Sequence, residues 1–185
     1  MKKVFTIPNI ISMFRILLIP IFCVLYFSSL DKGYIYAFAV IILSAASDII
    51  DGFIARRFNM ISDVGKVLDP FADKLTQVVV AVCLAFNHKM LLPVLLVLAT
   101  KELLTGVAAT LWLKNGLEPI SARWWGKVST ALLYASFMYY VICDIFMFNN
   151  HVVDIVFTVL TIAFLLFSMC GYIRVFIYKP QNLED

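Results

Sequence analysis

Six apolar runs, each about 20 residues or slightly longer, occupy most of this chain: 8–29, 34–55, 67–86, 90–113, 124–148 and 152–177. A run of that length satisfies its backbone polar groups inside lipid only as a helix, because no water is present to take up an open strand edge. The expectation is therefore an all-α, polytopic membrane protein with six transmembrane helices. Composition agrees, since 63% of the 185 residues are hydrophobic and 15% are charged, well outside the usage of soluble globular domains. The connections are too short for a second folded unit, and no repeat or low-complexity stretch interrupts the pattern. Residues 1–185 are read as one integral-membrane domain.

Lys2 and Lys3 before an apolar run superficially suggest a cleavable leader. Pro8 and Arg15 break that run, however, and no small-x-small site precedes Asp31, so no cleavage is expected. Thr6-Ile7-Pro8-Asn9 reads as a short surface segment entering the first span. Lys2, Lys3, Arg56, Arg57, Lys66, Lys114, Arg123, Lys127 and Lys179 flank one set of span ends, against Lys32 and Lys89 at the other. The positive-inside rule then puts both termini and the loops 57–66 and 114–123 in the cytoplasm, at the inner or plasma membrane. Basic residues spread over loops in this way exclude a nucleic-acid partner. Cys23, Cys83, Cys143 and Cys170 lack metal-site spacing and read as small apolar side chains, while His88 and His151 sit in outer turns without an evident role.

Against that background Asp48, Asp51, Asp69 and Asp73 are conspicuous. An uncompensated carboxylate at the bilayer centre costs about 2.5 to 3.5 kcal/mol on insertion scales, and less near the headgroups. Spacings of i, i+3 for the first pair and i, i+4 for the second put each pair on one face of its helix. Two helices would thus present four oxygen ligands to a shared pocket suited to Mg²⁺ or Mn²⁺. By the topology above, all four lie toward the cytoplasmic side.

Gly52 and Ala55 extend a strip of small residues past Asp51, wide enough for a flat base or sugar, and the guanidinium of Arg56 suits a phosphate at its end. Gly65 and Asp69 follow at fixed steps, with Pro70 expected in the first turn of the third helix, where its missing donor does least harm. Arg15, Lys127 and Arg174 also fall in the cytoplasmic halves of their spans, so the helices are expected to enclose a polar cavity open to that side. Two of these have an alternative: Arg15 and Arg174 can snorkel to the interface. Lys101-Glu102, part-way down the fourth span, can instead be a purely structural ion pair.

The string Asp48-Ile-Ile-Asp51-Gly52-Phe-Ile-Ala55-Arg56, eight residues, Gly65-Lys-Val-Leu-Asp69-Pro-Phe-Ala-Asp73 resembles the signature of the CDP-alcohol phosphotransferases, element for element. The likeness extends over the whole chain and implies transfer of a phospho-alcohol from a CDP-linked donor to an acceptor hydroxyl, with release of CMP. It implies one or two divalent ions, Mg²⁺ or Mn²⁺, on Asp48, Asp51, Asp69 and Asp73, with Asp73 also acting as base. It further implies Gly52, Ala55, Arg56 and Gly65 around the CDP moiety, and a homodimer.

Within the family, Thr6-Ile7-Pro8-Asn9, Phe14-Arg15, Asp69-Pro-Phe-Ala-Asp73-Lys74 and Trp125-Gly126-Lys127-Val-Ser-Thr130 are most similar to members that join CDP-diacylglycerol to sn-glycerol 3-phosphate. A dianionic acceptor needs cations beyond the metals, and Lys127, Lys101, Arg123 and Arg174 are the candidates. Lys127 is best placed, and Gly126 before it is expected to leave the approach open. Two departures stand out: Lys101-Glu102 replaces a frequent Arg-Glu, and Ala109 occupies a position where some members carry a basic residue. An alternative within the family uses phosphatidylglycerol as acceptor. A divalent-cation transporter is the remote alternative from another class, disfavoured because the acids cluster on one side and no inverted repeat is visible.

Overall fold

The structure, a computed structural model, describes residues 7–57, 65–114, 124–148 and 150–178, with side chains except at 7, 8, 48, 49, 51–56, 65–67, 109, 112–114, 177 and 178. The described residues form helices α1 (Ile7–Tyr26), α2 (Gly33–Arg57), α3 (Gly65–Asn87), α4 (Leu92–Lys114), α5 (Trp124–Phe146) and α6 (His151–Tyr178), with a 3₁₀ turn at Lys89–Leu91 before α4. No strand occurs among them. Each helix coincides with one apolar run to within a few residues, as expected where lipid rather than local propensity dictates helix.

Among the described residues four helical stretches are long and apolar enough to cross a membrane: Asn9–Tyr26, Lys89–Ala108, Trp124–Phe146 and His151–Phe176. Among the described residues α2 contributes a shorter apolar stretch, Gly33–Ser47. Both α2 and α3 carry several acidic and basic residues at the ends that hold the aspartate motif. The described residues are thus all-helical and compatible with a membrane protein, and the two motif helices are the least lipid-like.

Two compact units are present, one comprising 1–87 with 137–148, the other 88–136 with 149–185. In the first, α1 and α2 form a hairpin closed tightly at Gly33. A Cβ there would come within 2.7 Å of both the Leu25 carbonyl and the Ser28 hydroxyl. Helices α1 and α3 run parallel: successive contacts join Ser12 to Asp69, Cys23 to Cys83 and Tyr26 to Asn87. At the far end the buried Tyr26 hydroxyl donates to Asp144 Oδ2 at 2.7 Å and accepts from Asn87 Nδ2 at 3.0 Å. Apolar side chains such as Phe22, Leu84 and Phe137 fill that half of the unit.

The other half is built the opposite way. On α1, Ser12 and Arg15 are 0% and 1% exposed, whereas Met13 and Leu17 are 50% and 63% exposed. In water such a surface would drive aggregation; in a bilayer it is the lipid-facing side. Asn9, expected in a surface segment, belongs to α1 and is buried. Arg15 turns inward rather than snorkelling. Pro70 is also placed differently from expectation, because α3 begins at Gly65. The proline therefore falls in the second turn, where it removes one intrahelical hydrogen bond.

The Cys23 and Cys83 sulfurs are 3.6 Å apart across α1 and α3. Mild oxidation with iodine is expected to join them, since closure to about 2 Å needs little movement. Alkylation and mass spectrometry should then recover Cys143 and Cys170 as free thiols. Recovery of Cys23 and Cys83 unoxidised, with the other two consumed, would contradict the α1–α3 register.

In the second unit α5 and α6 run antiparallel. Ser136 and Thr161 share a hydrogen bond at 2.6 Å, and a Cβ at Gly126 would approach the Tyr172 hydroxyl to 2.5 Å. Reciprocally, a Cβ at Gly171 would lie 2.8 Å from Trp125 Nε1. Small residues here let two helices approach, the usual device where lipid offers no hydrophobic driving force.

Candidate active site

One face of α3 carries Asp69, Asp73 one turn on and the adjacent Thr76 and Gln77 one turn further, so that they follow one another along the helix. Thr76 and Gln77 are buried, and the two aspartates are partly so. Ser12 on α1 donates its hydroxyl to Asp69 Oδ1. Gln77 Nε2 donates to Asp73 Oδ2 at 2.9 Å. Each carboxylate therefore has one oxygen held by a neutral donor.

Neutral donors matter here. They fix the rotamer of each carboxylate without themselves cancelling its negative charge. With Asn9, Ser12 and Arg15 on the buried stripe of α1, this end of the unit has a polar interior wrapped in an apolar exterior. Because the α1–α2 hairpin turns back at Gly33, the C-terminal end of α2 lies at the same end of the unit as the N-termini of α1 and α3. Asp48, Asp51, Gly52, Ala55 and Arg56 lie on that stretch of α2, and Gly65 begins α3. Their side chains lie outside the described residues.

Among the described residues no group of three or more acidic, Cys or His side chains gathers. The described members of the motif are the α3 pair. The chemistry of this donor set still fits Mg²⁺ or Mn²⁺, being all oxygen and anionic, with an ordered outer partner on each carboxylate.

The candidate cations divide differently. Lys101 is buried and its ammonium pairs with Glu102 Oε1 at 2.7 Å, which favours the structural alternative for that pair. Lys127 and Arg174 are exposed, and Arg123 lies outside the described residues. Gly126 does not leave an open approach to Lys127, because the Tyr172 hydroxyl already fills the space where its side chain would be.

Three participants escaped the sequence reading: Ser12, Gln77 and the inward setting of Asn9. A signal was available. Asn9, Ser12 and Arg15 recur every third residue in α1, and Asp69, Asp73 and the pair Thr76–Gln77 follow at steps of four and three in α3. Polar residues sharing a helical face inside an apolar run mark the side turned away from lipid.

Comparison with known proteins adds independent information. A family model described as CDP-alcohol phosphatidyltransferase matches residues 5–173. A cardiolipin synthase (CMP-forming) of Streptomyces coelicolor is 36% identical over 72% of this chain and 64% of its own length. A CDP-diacylglycerol–glycerol-3-phosphate 3-phosphatidyltransferase of Pseudomonas fluorescens is 43% identical over 44% of this chain and 42% of its own. A protein of the same name from Blochmanniella floridana is 30% identical over 69% of this chain and 68% of its own. For the first two, the matched region spans less than two thirds of the relative.

Proposed function

The chain belongs to the CDP-alcohol phosphatidyltransferase family, and from that premise we propose that it transfers the phosphatidyl group of CDP-diacylglycerol to sn-glycerol 3-phosphate. The products are phosphatidylglycerophosphate and CMP. The observation carrying this reading is the α3 face, where two carboxylates stand in a polar interior next to α1 and below an apolar, lipid-facing exterior. Such a setting suits a reaction between a lipid-borne diphosphate and a water-soluble acceptor.

In this reading an acceptor hydroxyl oxygen attacks the phosphorus bearing the diacylglycerol. The bond to CMP breaks, and CMP leaves with its phosphate. Asp73 takes the hydroxyl proton, its other oxygen being kept in place by Gln77. Gly52, Ala55, Arg56 and Gly65 hold the CDP portion. Asp48, Asp51, Asp69 and Asp73 would hold one or two Mg²⁺ or Mn²⁺ ions, which neutralise the diphosphate and stabilise the leaving group when bound.

Helices α2 and α3 contain 25 and 23 residues, long enough to span a bilayer, so the proposal retains six spans around a polar cavity. The distribution of basic residues supports cytoplasmic termini and a cytoplasmic opening. Family resemblance supports a homodimer.

The choice of acceptor is decided by assay. Relatives carrying the glycerol-3-phosphate name and relatives carrying the cardiolipin synthase name are both similar to this chain. CMP release in micelles containing CDP-diacylglycerol as the sole lipid is expected with glycerol 3-phosphate. Lys127→Ala should raise the KM for glycerol 3-phosphate about tenfold or more, through loss of a charge-assisted contact of roughly 1.5 to 3 kcal/mol, with the KM for CDP-diacylglycerol little changed. Lys101→Ala should instead lower thermal stability, by removing the buried ammonium that pairs with Glu102. Turnover with phosphatidylglycerol alone, and a Lys127→Ala variant indistinguishable from wild type, would replace this reading with cardiolipin synthesis.

A further inference from the structure

The geometry points to Ser12 as a positioning residue for the metal site, a role that rests on the metal-dependent reading above. Ser12 is wholly buried in α1, and its hydroxyl crosses to Asp69 Oδ1 on α3. Other hydroxyls in this chain, including Ser47, Thr76 and Thr100, donate to a carbonyl one turn back in their own helix. That local bond satisfies the hydroxyl and does nothing for a neighbour. Ser12 reaches another helix and a charged acceptor.

Its effect follows from chemistry. A carboxylate on a free side chain samples several rotamers, and a cation that binds it must freeze them. With Oδ1 held from α1, the Asp69 carboxylate is oriented before any ion arrives, and its second oxygen stays available. A lysine or arginine in place of Ser12 would orient the group as well but would compete with the cation for its charge. The bond also ties α1 to α3 at the level of the motif, so the entry helix helps define ligand geometry without supplying a ligand. Outer partners of this kind typically contribute 10- to 100-fold in metal affinity.

The test is Mn²⁺ binding by the purified full chain in detergent, followed as loss of the free-ion paramagnetic resonance signal and paired with the melting temperature of the metal-free protein. Ser12→Ala is expected to raise the Mn²⁺ Kd roughly tenfold or more while the metal-free melting temperature stays close to wild type. Ser44→Ala is the control. Ser44 is also buried, on α2, and its hydroxyl has no hydrogen-bond partner among the described residues, so its removal is expected to leave the Kd unchanged. Equal Kd values for Ser12→Ala and wild type would overturn the role, as would equal weakening by both variants, which would show a packing effect. A wild-type chain that binds no Mn²⁺ would overturn the metal-dependent reading itself, and this role with it.

Discussion

Removing divalent cations with EDTA is expected to abolish CMP release, and Mg²⁺ or Mn²⁺ to restore it. Asp48→Asn, Asp51→Asn and Asp69→Asn should each lower the rate at least roughly 100-fold, the scale on which losing one element of transition-state charge stabilisation is felt. The physical reason lies in the donor set. Carboxylates in a low-dielectric interior are costly unless a cation compensates them, so the folded chain is preloaded with binding energy for one. Exchanging one carboxylate for an amide keeps shape and hydrogen bonding but removes the charge. The measurement is initial-rate CMP release at saturating CDP-diacylglycerol across a metal titration. Full turnover after exhaustive metal stripping would overturn the scheme.

Asp73→Asn should behave differently from the other three. A general base typically contributes 10²- to 10⁴-fold, and its loss falls on the chemical step. Transfer is therefore expected to slow by at least about 100-fold, while affinity for CDP-diacylglycerol changes far less. The substitution keeps the contact with Gln77, because the amide oxygen can still accept the bond that now reaches Oδ2 at 2.9 Å. Single-turnover rates set beside equilibrium binding of the donor separate the two effects. Rate and affinity falling in parallel would make Asp73 one more ligand and leave the base unidentified.

Much of this was legible without coordinates. Helix number and approximate ends follow from apolar run length, because lipid forces the backbone into helices and their lengths match bilayer thickness. The aspartate motif was equally legible, since charges are rare in such runs and their spacing maps directly onto helix faces. Less accessible was the inward or outward setting of single polar residues. Arg15 is compatible in sequence with snorkelling or with burial, and Asn9 with a surface segment. Gly126 suggested an open approach, whereas Tyr172, distant in sequence, occupies it. Helix α3 starts two residues before its apolar run, because Gly65 and Lys66 carry no apolar signal, and that shift moves Pro70 into the second turn.

The amino-acid sequence alone thus determined class, helix order and the family chemistry, all of which depend on local composition or on spacing within one helix. Tertiary structure decided which helices touch and in what register. Ser12 with Asp69, Cys23 with Cys83, Tyr26 with Asp144, and Trp125-Gly126 with Gly171-Tyr172 are pairings between helices. Nothing in the periodicity of one helix selects its neighbour's register. Close packing and the satisfaction of buried polar groups do, and both operate only once several helices are assembled. The motif therefore names its carboxylates, while the assembled helices bring Ser12 of α1 to Asp69.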